Sequence, residues 1–139
     1  MNQEQSFGII PLVRKEGQWH TLLIQHAHAK YWGFPKGHAE PGETPKLSAE
    51  RELKEETNLT VVKYLSHEPL LEEYTFTHKH QLIQKKVFYF PAEVTGKLTL
   101  QAHEVQDAKW VKFSEALHHV THPEAKAIVE QVAKILASI

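Results

Sequence analysis

One segment in the middle of the chain predicts a helix with well-marked ends. Residues 37–59 read GHAEPGETPKLSAERELKEETNL. Thr44 followed by Pro45 predicts the start of the helix, because threonine caps the first turn and proline suits the first helical position. Asn58 predicts its end after Thr57, since asparagine tolerates the left-handed backbone that commonly closes a helix. The sequence thus predicts a helix that begins at Pro45 and runs to about Thr57.

The predicted helix carries a group of acidic residues on one side. At about 100° per residue, Glu52, Glu55 and Glu56 fall within an arc of roughly 100°. Three like charges on one stripe repel each other, so helix stability alone does not favour this pattern. Clustered carboxylate oxygens suit a hard divalent cation such as Mg²⁺. A solvated acidic face is the alternative that the helix by itself leaves open.

The loop before the helix favours a site for metal and phosphate over a plain acidic surface. Gly33, Gly37 and Gly42 allow the backbone to approach a ligand closely. Lys36 lies among these glycines, where its ammonium group is placed to meet a phosphate charge. Cation ligands, a nearby lysine and a flexible glycine loop together indicate a metal–phosphate site.

Strand-like segments flank the loop and the helix. Apolar and β-branched runs predict strands over residues 7–14, 19–26, 60–65, 73–77, 87–94 and 107–113, and further helices start at Ser114 and Pro123. Pro11, inside the first strand, predicts an edge position or a bulge. We expect an α/β (α+β) fold in which a mixed β-sheet packs between helices, in one domain over residues 1–139.

Composition excludes several classes of function. The chain is 41% hydrophobic and 24% charged, has a formal net charge of −1 and contains no cysteine. A charge near zero disfavours a general nucleic-acid binder. Without cysteine there are neither disulfides nor thiolate metal sites, which suits the cytoplasm. No stretch approaches the roughly 20 apolar residues of a membrane span. We expect a cytoplasmic monomer or homodimer that acts on a small molecule.

Residues 37–59 resemble the box of the Nudix hydrolase family. Its pattern is Gly, five residues, Glu, seven residues, Arg-Glu-apolar-any-Glu-Glu, any residue, Gly, apolar. The matching positions here are Gly37, Glu43, Arg51, Glu52, Leu53, Glu55, Glu56 and Leu59. Asn58 replaces the second glycine, and asparagine is the next best residue for a left-handed conformation. The resemblance implies a Nudix-like α/β/α sandwich and hydrolysis of a phosphoanhydride, with Mg²⁺ as cofactor and Mn²⁺ as the alternative.

The resemblance also implies roles for individual residues. The implied metal ligands are Gly37, through its carbonyl, and Glu52, Glu55, Glu56 and Glu104. Glu52 is the first candidate for the general base that accepts a proton from water, and Glu104 is the second. Arg51 would pair with Glu43 and orient the helix.

Residues 31–43, YWGFPKGHAEPGE, are similar to a pattern of asymmetric diadenosine tetraphosphate hydrolases, W-x-x-P-K-G-H-x-E-x-G-E. That branch of the family cuts a dinucleoside tetraphosphate into a nucleoside triphosphate and a monophosphate. Lys36 takes the place of a lysine that contacts the phosphate chain, and His38 follows it. Lys85 matches a second phosphate-binding lysine of the branch.

Two further features resemble the same branch. The segment from His103-Glu104 to Trp110 is similar to one whose glutamate can assist metal binding. Adenine needs a stacking surface, and the aromatic residues Tyr74 and Phe76 share one face of a predicted strand. Core packing is the alternative role for at least one of them. The sequence identifies no second stacking aromatic near His122.

The expected activity is therefore hydrolysis of diadenosine tetraphosphate to ATP and AMP. The same chemistry on a damaged nucleoside triphosphate, a nucleotide sugar or the triphosphate end of RNA is an alternative. A non-catalytic nucleotide-sensing module is an alternative of another class. The intact set of Glu52, Glu55 and Glu56 disfavours the sensor.

Overall fold

A mixed β-sheet runs through the centre of the protein. The computed structural model describes residues 2–28, 31–101 and 104–139. Within these ranges the strands are β1 (Asn2–Lys15), β2 (Gln18–His26), β3 (Trp32–Gly33), β4 (Lys36–Gly37), β5 (Thr60–Tyr64), β6 (Leu70–His78), β7 (Gln81–Thr95) and β8 (Val105–Lys112). The helical elements are α1 (Pro45–Thr57), a 3₁₀ helix (Phe113–His118) and α2 (Pro123–Ala137).

Parallel and antiparallel pairing meet at the centre of the sheet. The main strand order is β3-β2-β1-β7-β5, while β4 pairs with β1, β6 with β7 and β8 with β2. β1 and β7 run parallel, from Asn2 opposite Ile83 to Leu12 opposite Glu93. The other pairs are antiparallel. The expected mixed sheet is therefore confirmed.

Helices cover both faces of this sheet, because neighbouring residues of a strand point to opposite sides. On one face, α1 packs on a core that includes Phe7, Ile9, Leu22, Ala49, Leu53 and Phe90. On the other face, α2 and the 3₁₀ helix pack on a core that includes Ile10, Leu12, Leu23, Tyr89, Ala116, Ile128 and Val132. Adjacent residues such as Ile9 and Ile10 thus belong to different cores. The expected α/β/α arrangement is confirmed.

Pro11 does not mark an edge strand, which is one of the two positions, edge or bulge, that the sequence predicts for it. It lies in β1, which has β2 on one side and β7 on the other. The carbonyl of Pro11 accepts a hydrogen bond of 2.7 Å from Thr21 Oγ1, so this side of Pro11 faces β2. On that side, β1 pairs with β4 up to Gly8 and with β2 from Leu12. Pro11 falls between these partners, where a missing N–H removes no ladder bond.

Several predicted boundaries differ from the observed elements. The loop that the sequence predicts before α1 contains the short strands β3 and β4. β6 and β7 are longer than predicted because they form one hairpin that pairs from Leu70–Tyr89 to His78–Gln81. The helix predicted at Ser114 is a 3₁₀ helix that starts at Phe113. Among the described residues, no helix has the length and apolarity needed to cross a membrane.

Both predicted ends of α1 are confirmed. The side chain of Thr44 accepts a hydrogen bond of 3.2 Å from the backbone N–H of Leu47. Asn58 adopts the left-handed conformation with φ 67° and ψ 9°, and its backbone N–H donates to the carbonyl of Lys54. Asn58 Nδ2 also donates to the carbonyl of Lys97 at 2.9 Å. The asparagine therefore ends the helix and ties it to the turn after β7.

We predict that Asn58→Ala destabilises the protein by about 1 kcal/mol, because the left-handed backbone conformation is unfavourable for alanine. Asn58→Gly should lose less stability, since glycine adopts this backbone freely and forfeits only the side-chain bond. Urea unfolding of the three proteins at neutral pH measures both effects. An alanine variant as stable as the parent would show that the left-handed conformation is not a constraint.

Candidate functional site

Arg51 gathers the polar groups of the loop and of α1 around its guanidinium. Nε donates to Glu43 Oε2 at 2.7 Å, Nη2 donates to the His38 carbonyl at 2.8 Å, and Nη1 donates to Glu52 Oε1 at 3.0 Å. Nη1 also donates to both oxygens of Glu55, at 3.2 and 3.3 Å. Hydrogen bonding from Arg51 lowers the pKa of Glu43 to about 2. Arg51 thus fixes the loop against the helix.

Three glutamates from two parts of the chain form a carboxylate cluster: Glu52, Glu56 and Glu104. One oxygen from each lies within 4.8 Å of the others. Glu104 follows His103, which lies outside the described residues. Glu55 lies outside this cluster: its side chain is 49% exposed and is bound by Arg51. The structure thus brings together three of the predicted ligands and places the fourth carboxylate at the rim.

Glu56 is the most constrained member of the carboxylate cluster. It is only 2% exposed, and neither of its buried oxygens has a hydrogen-bond partner among the described residues. Burial, and then the adjacent Glu52, raise the pKa of Glu56 well above its usual range. A buried carboxylate without partners is unfavourable unless a cation offsets its charge. The donor set, three carboxylates with oxygen atoms close together, fits a hard divalent cation.

Two glycines permit the close packing of the loop at this site. A side chain at Gly37 would overlap the carboxylate of Glu52, which lies directly against the backbone there. A side chain at Gly8 would overlap the carbonyl of Pro35 and the side chains of Lys36 and Tyr89. The pairing of β4 with β1 at Phe7–Gly37 and Gly8–Lys36 therefore needs small residues on both strands. This pairing directs Lys36 to the site.

Basic groups lie next to the carboxylate cluster. Burial lowers the pKa of Lys36, while Glu72, Glu56 and other carboxylates act in the opposite direction. Lys85 is 5% exposed, and its Nζ lies 3.1 Å from His38 Nε2 and 3.4 Å from Glu4 Oε1. Burial, and then Lys36, lower the pKa of Lys85. The predicted phosphate-binding residues Lys36, His38 and Lys85 therefore share one region, with Glu4 as a counter-ion that the sequence did not indicate.

An aromatic cavity of about 570 Å³ opens beside these groups. It is lined by Tyr31, Trp32, Gly33, Phe34, Lys36, Glu72, Tyr74, Thr75, Phe76, Tyr89, His122, Glu124 and Ala125. The rings of Tyr74 and Phe76 lie 6.1 Å apart on the same face of β6. Phe76 is 36% exposed, whereas Tyr74 packs partly against the core. The two predicted stacking residues thus line one cavity.

Tyr31 supplies the second aromatic wall that the sequence did not identify near His122. Its ring lies 4.9 Å from the ring of His122 and 4.6 Å from that of His26. His26 is uncharged near neutral pH, because burial, and then Lys36, lower its pKa to about 4. Tyr31 lies far in sequence from His122. Hydrogen bonds from the Trp32 N–H to Thr121 Oγ1 and from the Thr121 N–H to the Trp32 carbonyl bring the two segments together.

Lys36 connects the aromatic cavity to the carboxylate cluster. A smaller cavity of about 270 Å³ is lined by Lys36 and Tyr31 together with Glu56 and Glu104. Lys36 and Tyr31 also line the aromatic cavity. A ligand with an aromatic ring and an anionic chain could therefore extend from one cavity to the other past the lysine.

Comparisons with known proteins identify a matching family model and several similar proteins. The family model described as the NUDIX domain matches residues 2–132. The chain is 30% identical to the bis(5'-nucleosyl)-tetraphosphatase [asymmetrical] of Caenorhabditis elegans over 132 residues, which cover 94% of each protein. It is also 30% identical to the RNA pyrophosphohydrolase of Nitratiruptor sp., over 74% of each protein.

The fold is shared with a solved structure, the C. elegans Ap4A hydrolase binary complex. The TM-score is 0.74, the sequence identity is 24%, and the match covers 98% of this chain and 99% of that chain. At this identity the likeness concerns the arrangement of helices and strands.

We predict that Glu43→Gln lowers stability at neutral pH, because it removes one charged partner of Arg51. The pKa of Glu43 is depressed in the folded state to about 2. The stabilisation is therefore complete above the unfolded carboxyl pKa of about 4.3 and is lost as the pH falls towards 2. Urea midpoints of both proteins should differ at pH 7 and converge in acid.

Glu40→Gln is the matched control for this prediction. The Glu40 side chain is 64% exposed and lies 3.7 Å from Arg51 Nη1, so its charge contributes little. A stability difference for Glu43→Gln that stayed constant down to pH 2 would contradict the ionic origin of the effect.

A second prediction concerns the buried carboxylate. In EDTA at pH 7, Glu56→Gln should unfold at a higher urea concentration than the parent, because glutamine removes a carboxyl whose ionisation burial opposes. Added Mg²⁺ should stabilise the parent and have little effect on this variant. Glu55→Gln, at the exposed rim, should not change the stability in EDTA. A metal-free Glu56→Gln variant less stable than the parent would refute the assignment.

Proposed function

Because the chain belongs to the NUDIX domain family and is a Nudix hydrolase, we propose that it hydrolyses diadenosine tetraphosphate to ATP and AMP. One observation carries this proposal. A buried, unpaired glutamate in the carboxylate cluster lies beside the same lysine that lines the aromatic cavity. Such an arrangement provides neighbouring binding positions for a cation, a phosphate chain and a nucleobase, in that order.

The proposed cofactor is Mg²⁺, with Mn²⁺ as an alternative. Glu52, Glu56 and Glu104 would hold it, and Glu55 and the Gly37 carbonyl are further proposed ligands. When bound, a divalent cation offsets the charge of phosphate oxygens and lowers the pKa of an attacking water. The carboxylates of this chain supply the hard oxygen donors that such an ion prefers.

Glu52 is the proposed general base. Its carboxylate lies against the backbone of Gly37 and accepts a hydrogen bond from Arg51 Nη1 at 3.0 Å. The guanidinium fixes the orientation of the Glu52 carboxylate, and a positioned carboxylate can accept a proton from water. Glu104, which is exposed at the edge of the carboxylate cluster, is the second candidate. Arg51 and Glu43 act as positioning residues, because they fix Glu52 and the loop.

The phosphate chain is proposed to lie along Lys36, His38 and Lys85. The low solvent exposure of Lys85 strengthens its attraction to an anion, since the local dielectric is lower than that of water. The two lysines would stabilise the charge that develops on the departing phosphate. Glu4 and His38 already contact Lys85, so binding of phosphate exchanges one partner of the lysine for another.

Adenine is proposed to bind in the aromatic cavity. Tyr31, Tyr74 and Phe76 present ring surfaces there, and stacking of one base on an aromatic side chain contributes about 1–3 kcal/mol. The relatedness to the bis(5'-nucleosyl)-tetraphosphatase of C. elegans over 94% of each chain supports this substrate. The stacking surface, the basic groups and the carboxylates lie in the order in which such a substrate presents base, phosphates and bound cation.

The triphosphate end of RNA is a second candidate substrate. The chain is equally identical, at 30%, to a protein named RNA pyrophosphohydrolase, although over a smaller share of both proteins. The net charge of −1 disfavours this candidate, because RNA binding draws on an excess of basic groups. Comparing kcat/KM for diadenosine tetraphosphate and for a triphosphate-ended RNA ranks the two.

We predict that the purified protein with Mg²⁺ converts diadenosine tetraphosphate into equal amounts of ATP and AMP, measured by ion-exchange chromatography. Glu56→Gln should fold but lose at least about a thousandfold in kcat, because a metal ligand is removed. Two ADP molecules, or the absence of turnover, would refute the proposed activity. Nucleotide binding without turnover would favour the sensor.

A further inference from the structure

Glu72 is a buried acidic residue that the proposed hydrolysis does not use. It lies on β6 opposite Val87 of β7 and is 8% exposed. Residues of β6 alternate, so Glu72 shares the face of Tyr74, whereas Glu73 is exposed on the opposite face. Glu72 lines the aromatic cavity. A carboxyl group is thus built into the wall of a cavity whose other walls are largely rings.

No donor in the described part of the chain satisfies this carboxyl. Among residues 2–28, 31–101 and 104–139, no hydrogen bond or ion pair to the Glu72 side chain is found. Burial raises the pKa of Glu72 to about 7, with Lys36 acting in the opposite direction and Glu124 adding to the rise. Buried polar groups in folded proteins are nearly always paired. A carboxyl that faces a cavity without a protein partner is available to accept a hydrogen bond from a ligand bound there.

The aromatic walls alone cannot select a base. Stacking tolerates every base, because each has a flat π face. Discrimination requires a polar group that meets the hydrogen-bonding edge of the ring. Of the side chains that line the cavity, Lys36 lies towards the carboxylate cluster, and Glu124 and His122 stand at the start of α2. Glu72 remains as the carboxyl on the wall formed by β6.

We infer that Glu72 determines base specificity by accepting a hydrogen bond from the exocyclic 6-amino group of adenine in the aromatic cavity. A carboxyl oxygen accepts this bond whether or not the group is ionised. A base that lacks the amino group leaves the buried carboxyl unpaired, and this loss is larger than the strength of an ordinary surface contact. The inference rests on the proposed function for the choice of adenine, and it adds the residue that reads the base.

The test measures binding rather than turnover. AMP and purine riboside 5'-monophosphate, which lacks the 6-amino group, are titrated into the protein in EDTA, and Kd is measured by calorimetry. The parent should bind AMP about tenfold more tightly or better, as expected for one hydrogen bond to a carboxyl. Glu72→Leu should lower AMP affinity to that of the analogue and so remove the difference.

Glu72→Gln and Glu73→Leu are the matched controls. The amide oxygen of glutamine still accepts a hydrogen bond, so Glu72→Gln should keep most of the preference for AMP. Glu73→Leu, on the opposite face of β6, should leave both affinities unchanged. Thermal unfolding of each variant shows that it is folded.

Three results would overturn the inference. These are a parent that binds AMP and the analogue equally, a parent that binds neither at millimolar concentration, and a Glu72→Leu variant that keeps the preference. Tighter binding of GMP than of AMP would overturn the assignment to adenine. If only the proposed function fails, the protein still prefers AMP in a way that depends on Glu72, but it does not hydrolyse diadenosine tetraphosphate.

Discussion

The guanidinium of Arg51 is the contact on which the arrangement of the site depends. It joins the carboxylate of Glu43, the carbonyl of His38 and the carboxylate of Glu52, and so holds an irregular loop against a regular helix. One positive charge among these acidic groups offsets their mutual repulsion. The close contact of Glu52 with Gly37 accompanies this attachment.

The pairing of strands in the sheet determines which chemical groups line the two cavities. Pairing of β4 with β1 places Lys36 beside Gly8, and pairing of β6 with β7 places Glu72 and Tyr74 on the neighbouring surface. α2 closes the aromatic cavity with Glu124 and Ala125. The carboxylate cluster, the lysine and the rings are thereby arranged in a row, although they come from segments spread along the chain.

The fold could be predicted where local rules decide it. The ends of α1 follow from Thr44 and Asn58, whose preferences act within one helical turn. The edge position predicted from Pro11 was wrong. Proline lacks a backbone N–H, but Pro11 lies between the stretches of β1 that pair with β4 and with β2, where no donor is needed. The extents of β6 and β7 were underestimated, since pairing in a long hairpin orders polar residues that have weak strand preference on their own.

By itself, the sequence determined the acidic face of α1, because helical geometry fixes the spacing of Glu52, Glu55 and Glu56 within about one turn. It also placed Lys36 and Gly37 in the loop next to them. Only the tertiary structure decided that Glu104 joins the carboxylate cluster while Glu55 stays at its rim, and that Tyr31 and Glu72 enter the aromatic cavity. Because side chains alternate along a strand, the sequence assigns each strand residue to one of two faces. The pairing of the strands decides which residues and cavities that face contacts.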